Sequence, residues 1–363
     1  MRQSFEKDLI TYNEIAKQKA LEETEGPSAE EINRLEQVLD WHLEQAAKKQ
    51  HTNTETQQSI FNIQEEKQRI MQKLHQDFQC LDDPNCAVEK QKDERLLKFD
   101  EKTNSFIYQD DERHEQAATS GSLLSDMNWD IFYHIDKNSV PRAFAKKYFL
   151  ERSKKELLNL LDLQIIKSES EGDIIPESRK EAYRVVEYER SDGTSKERMG
   201  FVAENLVKGF LQKLIIDQRL PLQMQEANVF QDVEQKIDFI IHHKEQKRGV
   251  DVEVSDKIKD LGIQLTVNPN AVEHKKTQIE HTKKKLEQLN EHVVDDIALI
   301  LFSMDLTRHL IYKWQQIGRP SGGPDQLLKR PLAEKLFKKL TKDMLNEKEV
   351  SLYWEQITSN FSE

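Results

Sequence analysis

Three carboxylates pattern with apolar residues in the stretch QKIDFIIHHKEQKRGVDVEVSDK, residues 235–257. Asp238 stands in the first of two short apolar runs, and Asp251 and Glu253 stand in the second. The polar, basic turn HHKEQKRG joins them, with Gly249 as its hinge. Successive strand side chains point to opposite faces. Asp238 therefore shares a face with Ile240, and Asp251, Glu253 and Ser255 share one on the next strand. Carboxylates in a half-buried strand normally turn to solvent. A hairpin can instead set Asp238 within metal-bridging distance of Asp251 or Glu253. Hard oxygen donors of this kind suit Mg²⁺ or Mn²⁺. Each acid also has a plainer reading, as a solvated strand residue beside a turn.

Positioning such a hairpin requires a sheet, and the C-terminal half has the pattern for one. KERMGFVAENLVKGFLQKLII (196–216) reads as a helix with Phe201, Leu206, Phe210 and Leu214 as its core stripe, and Glu204 beside that stripe. Short strands follow at about 222–230, 236–242, 249–255 and 262–267. NAVEHKKTQIEHTKKKLEQLNEH (270–292) reads as a long helix, and DDIALILFSM (295–304) as a buried strand. Only this block alternates helix and strand.

The order of these elements and acids resembles the PD-(D/E)xK nuclease superfamily. Its core is a helix, a three-stranded meander, a helix and a fourth strand. In that family the helix typically gives a Glu, the second strand an Asp, and the third strand (D/E)-x-K. GFVAENL offers Glu204, KIDFII offers Asp238, and GVDVEVS offers the third element. GIQLT resembles the glutamine-bearing segment that follows the third strand in many members, which would carry Gln264. The resemblance covers about residues 198–304. It implies a catalytic set of Glu204, Asp238, Asp251, Glu253 and Gln264, with Asp238, Asp251 and Glu253 holding Mg²⁺ or Mn²⁺. It implies hydrolysis of phosphodiester bonds, with nucleic acid, DNA by expectation, bound at the C-terminal half. The motif Lys is out of place. If Asp251 is the first acid, Glu253 stands where Lys is expected. If Glu253 is the first acid, Ser255 stands there, and the cation would come from Lys257, Lys275 or Lys276. Two other readings stay open: a catalytically inactive nuclease-fold module that binds nucleic acid or a protein, and a helical scaffold with a structural α/β domain. Glu204 could equally be an ordinary exposed helix residue, and Gln264 could simply bond strand ends.

Other polar residues carry less. His242 and His243 are adjacent in a strand and face opposite ways, so they do not share a metal. His274 and His281 read as solvated helix positions. Residues 306–345 hold an excess of Lys and Arg, which suits a phosphate groove or a solvated helix surface equally. GRPSGGP (318–324) lacks the phosphate-loop pattern and reads as a loop between two helices.

At 363 residues the chain has room for two or three domains. The formal net charge is −12 and it is uneven: residues 1–120 hold 16 Lys and Arg against 26 Asp and Glu. That acidity argues against coating DNA with the whole surface. Helical spacing appears at 4–24, in a helix capped by Ser28 and Glu31 with Leu35, Leu39 and Leu43 on one stripe, and at about 59–80. A fourth helix is expected at about 86–99. The expected architecture is mixed α/β. Residues 1–118 form an acidic, coiled-coil-like helical region for self-association or a protein partner. Residues 119–195 are linker and helix, and the polar stretch 101–126, which includes TSGS, reads as a linker. Residues 196–304 form a restriction-endonuclease-like αβββαβ core, and 305–363 a helical extension. Cys80 and Cys86 flank the turn DDPN, across which a disulfide is possible; zinc would need two more ligands beyond them, and His75 alone does not complete a set. MRQSFEKDLI lacks an apolar signal core and no apolar run nears ~20 residues, so the chain reads as soluble and cytoplasmic, with no membrane partner.

Overall fold

The computed structural model describes residues 37, 40, 54–83, 85–86, 94–110, 114–171, 176–191, 199–244, 259–289 and 293–358. The described residues form a mixed α/β protein. The chain divides into two compact units. One holds 1–104 and 133–164; the other holds 105–132 and 165–363.

In the first unit, helix α1 (Thr54–Asp82) covers the helix expected at 59–80 and starts earlier. The helices expected at 4–24 and from Ser28 lie outside the described residues, apart from residues 37 and 40, which are helical. The helix expected at 86–99 is corrected: strand β1 (Arg95–Asp100) occupies its end. β1 pairs in parallel with β4 (Tyr133–Ile135), Leu97 opposite Ile135, and both side chains are buried. Helix α3 (Arg142–Glu171) supplies Tyr148, whose hydroxyl accepts the Tyr133 N–H at 2.7 Å. Arg152 of α3 is half-buried between Asp77 and Glu94, at 3.2 and 3.1 Å.

Cys80 and Cys86 form a disulfide, with Cα atoms 5.2 Å apart. Lys137 donates to the carbonyls of Cys80, Asp83 and Cys86, so a cation sits where the C-terminal carbonyls of α1 collect. Closing so short a loop constrains the unfolded chain modestly. Reduction by a phosphine is therefore expected to lower unfolding free energy by about 2 kcal/mol, read from denaturant unfolding with and without reductant.

The second unit corrects the linker expected at 101–126. SFIYQ and EQAA form the antiparallel hairpin β2 (Ser105–Gln109) and β3 (Glu115–Ala118). Helix α2 (Ser120–Ser125) follows, with Thr119 as its N-cap. Asp217 ties this start down, accepting from Thr119 Oγ1 at 2.7 Å and from the Gly121 N–H at 2.9 Å. A Cβ on Gly121 would stand 2.9 Å from that carboxylate, so the approach requires glycine. Helix α4 (Glu177–Ser191) had no counterpart in the sequence reading.

A four-stranded sheet then forms in the order β5-β6-β7-β8. Helix α5 (Met199–Asp217) precedes β5 (Leu222–Glu226). The strand expected at 222–230 is shorter than that, ending at Glu226, and helix α6 (Val229–Gln235) takes its last two residues. A capping box between Asn228 and Gln231 starts α6. β6 (Phe239–His243) pairs antiparallel with β5 on one side and with β7 (Asp260–Thr266) on the other. Helix α7 (Val272–Leu289) carries the chain over to β8 (Asp296–Leu301), which pairs in parallel with β7. The expected hairpin is corrected here. The described antiparallel partner of the Asp238 strand is 260–266, and 249–255 lies outside the described residues.

Alternation sorts the sheet's two faces. Phe239, Ile241, Ile263 and Leu265 pack with Val202, Leu206 and Phe210 of α5. Ile237, Ile240 and Ile297 pack with Ile279 of α7. Three further helices follow among the described residues: α8 (Met304–Gln316), α9 (Arg330–Thr341) and α10 (Glu347–Thr358). Phe337 of α9 stacks on Trp354 of α10 at 5.7 Å and joins the α5 core. Each such side chain contributes about 1.5–3 kcal/mol on burial. Among the described residues no helix is long and apolar enough to cross a membrane.

Candidate active site

Asp238 stands at the entry to β6, between two fixed points. Lys236 closes α6 in a left-handed conformation, φ 58°. One residue past Asp238 the ladder begins with Phe239 opposite Ile263. The Asp238 N–H donates to the Ile263 carbonyl at 2.8 Å, and its carboxylate Oδ2 accepts the Leu265 N–H at 2.6 Å. The carboxylate thus takes the place of a ladder carbonyl.

Gln264 lies across from Asp238, one step beyond the Phe239–Ile263 pair. Alternation turns it away from Ile263 and Leu265, which face α5. Its side chain is buried, and Oε1 has no hydrogen-bond partner among the described residues. A buried amide oxygen left unpaired costs roughly 1–3 kcal/mol. From α7, Lys275 Nζ donates to the Leu265 carbonyl at 2.5 Å. One peptide segment of β7 is therefore held by an acid on its N–H side and a cation on its C=O side.

α5 adds a second pair of charges. Glu204 and Lys208 lie one turn apart and meet at 3.1 Å, and Lys208 also reaches Glu226, at the end of β5, at 3.2 Å. The Lys208 side chain is only 6 % exposed. Burial pulls its pKa down, but the carboxylates of Glu226 and Glu204 outweigh this and raise it. Burial raises the Glu204 carboxyl, with Lys208 opposing and Asp232 adding to the rise. Asp238 is pushed well above the ordinary carboxylate range, first by burial and then by the negative charges of Glu204 and Asp232. The Leu265 N–H and Lys275 oppose that rise.

Of the residues named from sequence, Glu204, Asp238 and Gln264 fall in this neighbourhood. Asp251 and Glu253 lie outside the described residues, as do Ser255 and Lys257. Lys275 reaches the site, whereas Lys276 pairs with Glu273 at 2.8 Å. His242 bonds Asp260 at 2.6 Å and Gln225 at 3.2 Å, bridging the strands beside its own. The sequence reading missed Lys208, Glu226 and Asp232. Lys208 had a signal: it interrupts the apolar run LVKGFL four residues after Glu204.

Among the described residues, no group of three or more His, Cys, Asp and Glu is set to hold a metal ion. Two carboxylates and an orphaned amide oxygen are nevertheless oxygen donors of the kind Mg²⁺ or Mn²⁺ takes. Glu204 already meets Lys208, whereas the Gln264 oxygen has no partner among the described residues, so the donor set fits the ion in kind.

The raised Asp238 carboxyl has a consequence without any metal. At pH below the ordinary carboxylate range, folded and unfolded chains both carry its proton. As pH rises, the unfolded chain loses that proton first, so stability falls until the folded carboxyl ionises as well. Asp238→Asn removes this loss. In EDTA the variant is expected to match wild type near pH 3.5. At pH 7 it should exceed wild type, because the unfolded chain has by then lost a proton that the folded carboxyl still holds. Thermal unfolding at the two pH values checks this; equal stability at both would contradict it.

No protein-family model, curated protein or solved structure matches the chain.

Proposed function

We propose that the second unit carries a divalent-cation-dependent nuclease site acting on DNA phosphodiester bonds, in a PD-(D/E)xK-type core. The observation that carries this reading is Asp238 at the entry of β6, the second strand in the order α5-β5-α6-β6-β7-α7-β8, with Gln264 across from it on β7. Glu204 on the preceding helix and Lys275 on the following one complete the set. Asp238 and Glu204, with the Gln264 amide oxygen, would hold Mg²⁺ or Mn²⁺. The bound ion would acidify a water and neutralise charge on the phosphate. Asp238 would orient its free carboxylate oxygen while Leu265 fixes the other. Lys275 would supply the positive charge that β7, with Gln264-Leu265-Thr266, lacks. In the acid-bearing segment 251–253, Asp251 and Glu253 remain candidate ligands.

A second reading draws on one observation. Lys208 already neutralises Glu204, and β7 presents an amide where an acid is expected. That arrangement suits a module that binds nucleic acid without cutting it. The N-terminal helices are proposed as a surface for self-association or a protein partner.

Cleavage assays with Mn²⁺ on duplex, single-stranded and branched DNA separate the two. Cleavage of at least one substrate, lost in Asp238→Asn, supports the nuclease reading. Wild type inactive on all three overturns it and leaves the binding module.

A further inference from the structure

Glu204 has two calls on it. It is one of the two described carboxylates proposed to hold the divalent cation, and it already meets the Lys208 ammonium at 3.1 Å. That ammonium stands equally close to Glu226, to which it donates at 3.2 Å. Glu226 closes β5 opposite Phe239, and the next residue, Ala227, donates its N–H to the Asp238 carbonyl at 3.4 Å. Lys208 therefore bridges the helix that carries Glu204 and the strand that runs beside the entry to β6.

Packing does not require this arrangement. Residue 208 lies in a run of α5 that is buried without a break from Asn205 to Leu211. Uncharged residues of similar volume fill such a position at least as well as an ion pair does. What the pairing adds is a choice of partner. A buried ammonium is costly to leave without an acid. With Glu204 alone beside it, Glu204 could not turn to another cation without stranding Lys208. With Glu226 at a matching distance, Lys208 keeps one carboxylate even when Glu204 is engaged elsewhere, and it need not leave its place.

We propose that Lys208 competes with the divalent cation for Glu204, and that Glu226 retains Lys208 when Glu204 turns to the cation. Lys208 and Glu226 are then positioning residues, which set the affinity of the site without joining it. The proposal rests on reading Glu204 and Asp238 as a cation site, but not on that site's cutting DNA.

The test is calorimetric titration of Mn²⁺ into the full chain after EDTA treatment and dialysis. Wild type is compared with Lys208→Met, Glu226→Gln and the double variant, and Asp238→Asn is the control for the site. Melting curves confirm that each is folded, and Lys208→Gln replaces the methionine variant if that one is not. Lys208→Met is expected to bind Mn²⁺ at least about tenfold more tightly than wild type. Glu226→Gln should bind about fivefold more weakly, because it leaves Lys208 to Glu204 alone. The double variant should match Lys208→Met within about twofold, because Glu226 acts only through Lys208. A purely structural role would weaken binding in both single variants. A purely long-range charge effect would make Glu226→Gln as costly without Lys208 as with it. Either result overturns the proposal, as does unchanged affinity in both single variants. Failure of the cation-site reading looks different: wild type binds no Mn²⁺, or Asp238→Asn binds it as wild type does, and the proposal falls with that reading.

Discussion

Asp238→Asn is expected to lower Mn²⁺-dependent cleavage of DNA by at least about a hundredfold, ~3 kcal/mol of barrier. The substitution is chosen to isolate charge from structure. An asparagine oxygen can still accept the Leu265 N–H, which the carboxylate now accepts at 2.6 Å, so the entry to β6 keeps its geometry. What disappears is one of the two described carboxylates proposed to hold the cation. The fold should not suffer, because the metal-free protein gains stability at neutral pH from the same change. An activity loss accompanied by equal or greater stability distinguishes a site residue from a structural one. Asp251→Asn gives the companion result. A comparable loss supports Asp251 as a further ligand of the proposed cation, and near-wild-type cleavage leaves Glu253 as the candidate ligand of that segment. Both variants are read in single-turnover assays on the substrate that wild type cuts best.

Lys208→Met should cost about 3 kcal/mol of stability. The side chain is 6 % exposed and touches two carboxylates, Glu204 at 3.1 Å and Glu226 at 3.2 Å. Methionine fills the volume and removes the charge. Two acids beside a crowded Asp238 then lack their cation, and breaking a buried pair by removing one partner is far more damaging than replacing both. The control follows from that asymmetry. In a Glu204→Gln/Glu226→Gln background, Lys208→Met should cost much less, because no uncompensated charge remains. Urea unfolding of the four proteins measures the coupling. A Lys208→Met penalty that is the same in both backgrounds would show that packing, not charge, is what Lys208 supplies.

The sequence reading located the sheet better than it located its edges. DIALIL is apolar through both faces and became β8 with little ambiguity. The helix ahead of the strands was visible from Phe201, Leu206, Phe210 and Leu214 and became α5. The strand at 262–267 was legible in GIQLT and became β7; GVDVEV alternates as cleanly but lies outside the described residues, and period alone cannot say which of the two pairs with the Asp238 strand. That pairing depends on contacts across the sheet, and the Asp238 N–H on the Ile263 carbonyl and the Leu265 N–H on the Asp238 carboxylate fix it. Short elements hid for a related reason. RLLKFD suits a helix turn or a strand equally, and β1 forms because Leu97 finds Ile135 beside it. NVFQDVEQ carries helical spacing at Val229 and Val233 and the capping pair Asn228 and Gln231, but it reads as the tail of a strand beside LQMQE. Among the site residues, Asp238, Glu204 and Gln264 came from motif order. Lys208 could have been found as a lysine inside an apolar run. The hold of Lys275 on the Leu265 carbonyl could not, because it depends on where α7 begins relative to β7.

The most direct test of the proposed site is a crystal grown with Mn²⁺ and measured at the manganese absorption edge. An anomalous peak against the Asp238 carboxylate, with the Gln264 amide oxygen turned to it, is the predicted result. Manganese bound only elsewhere, with Gln264 still unpaired and Asp238 still bonded to Leu265 alone, would contradict it.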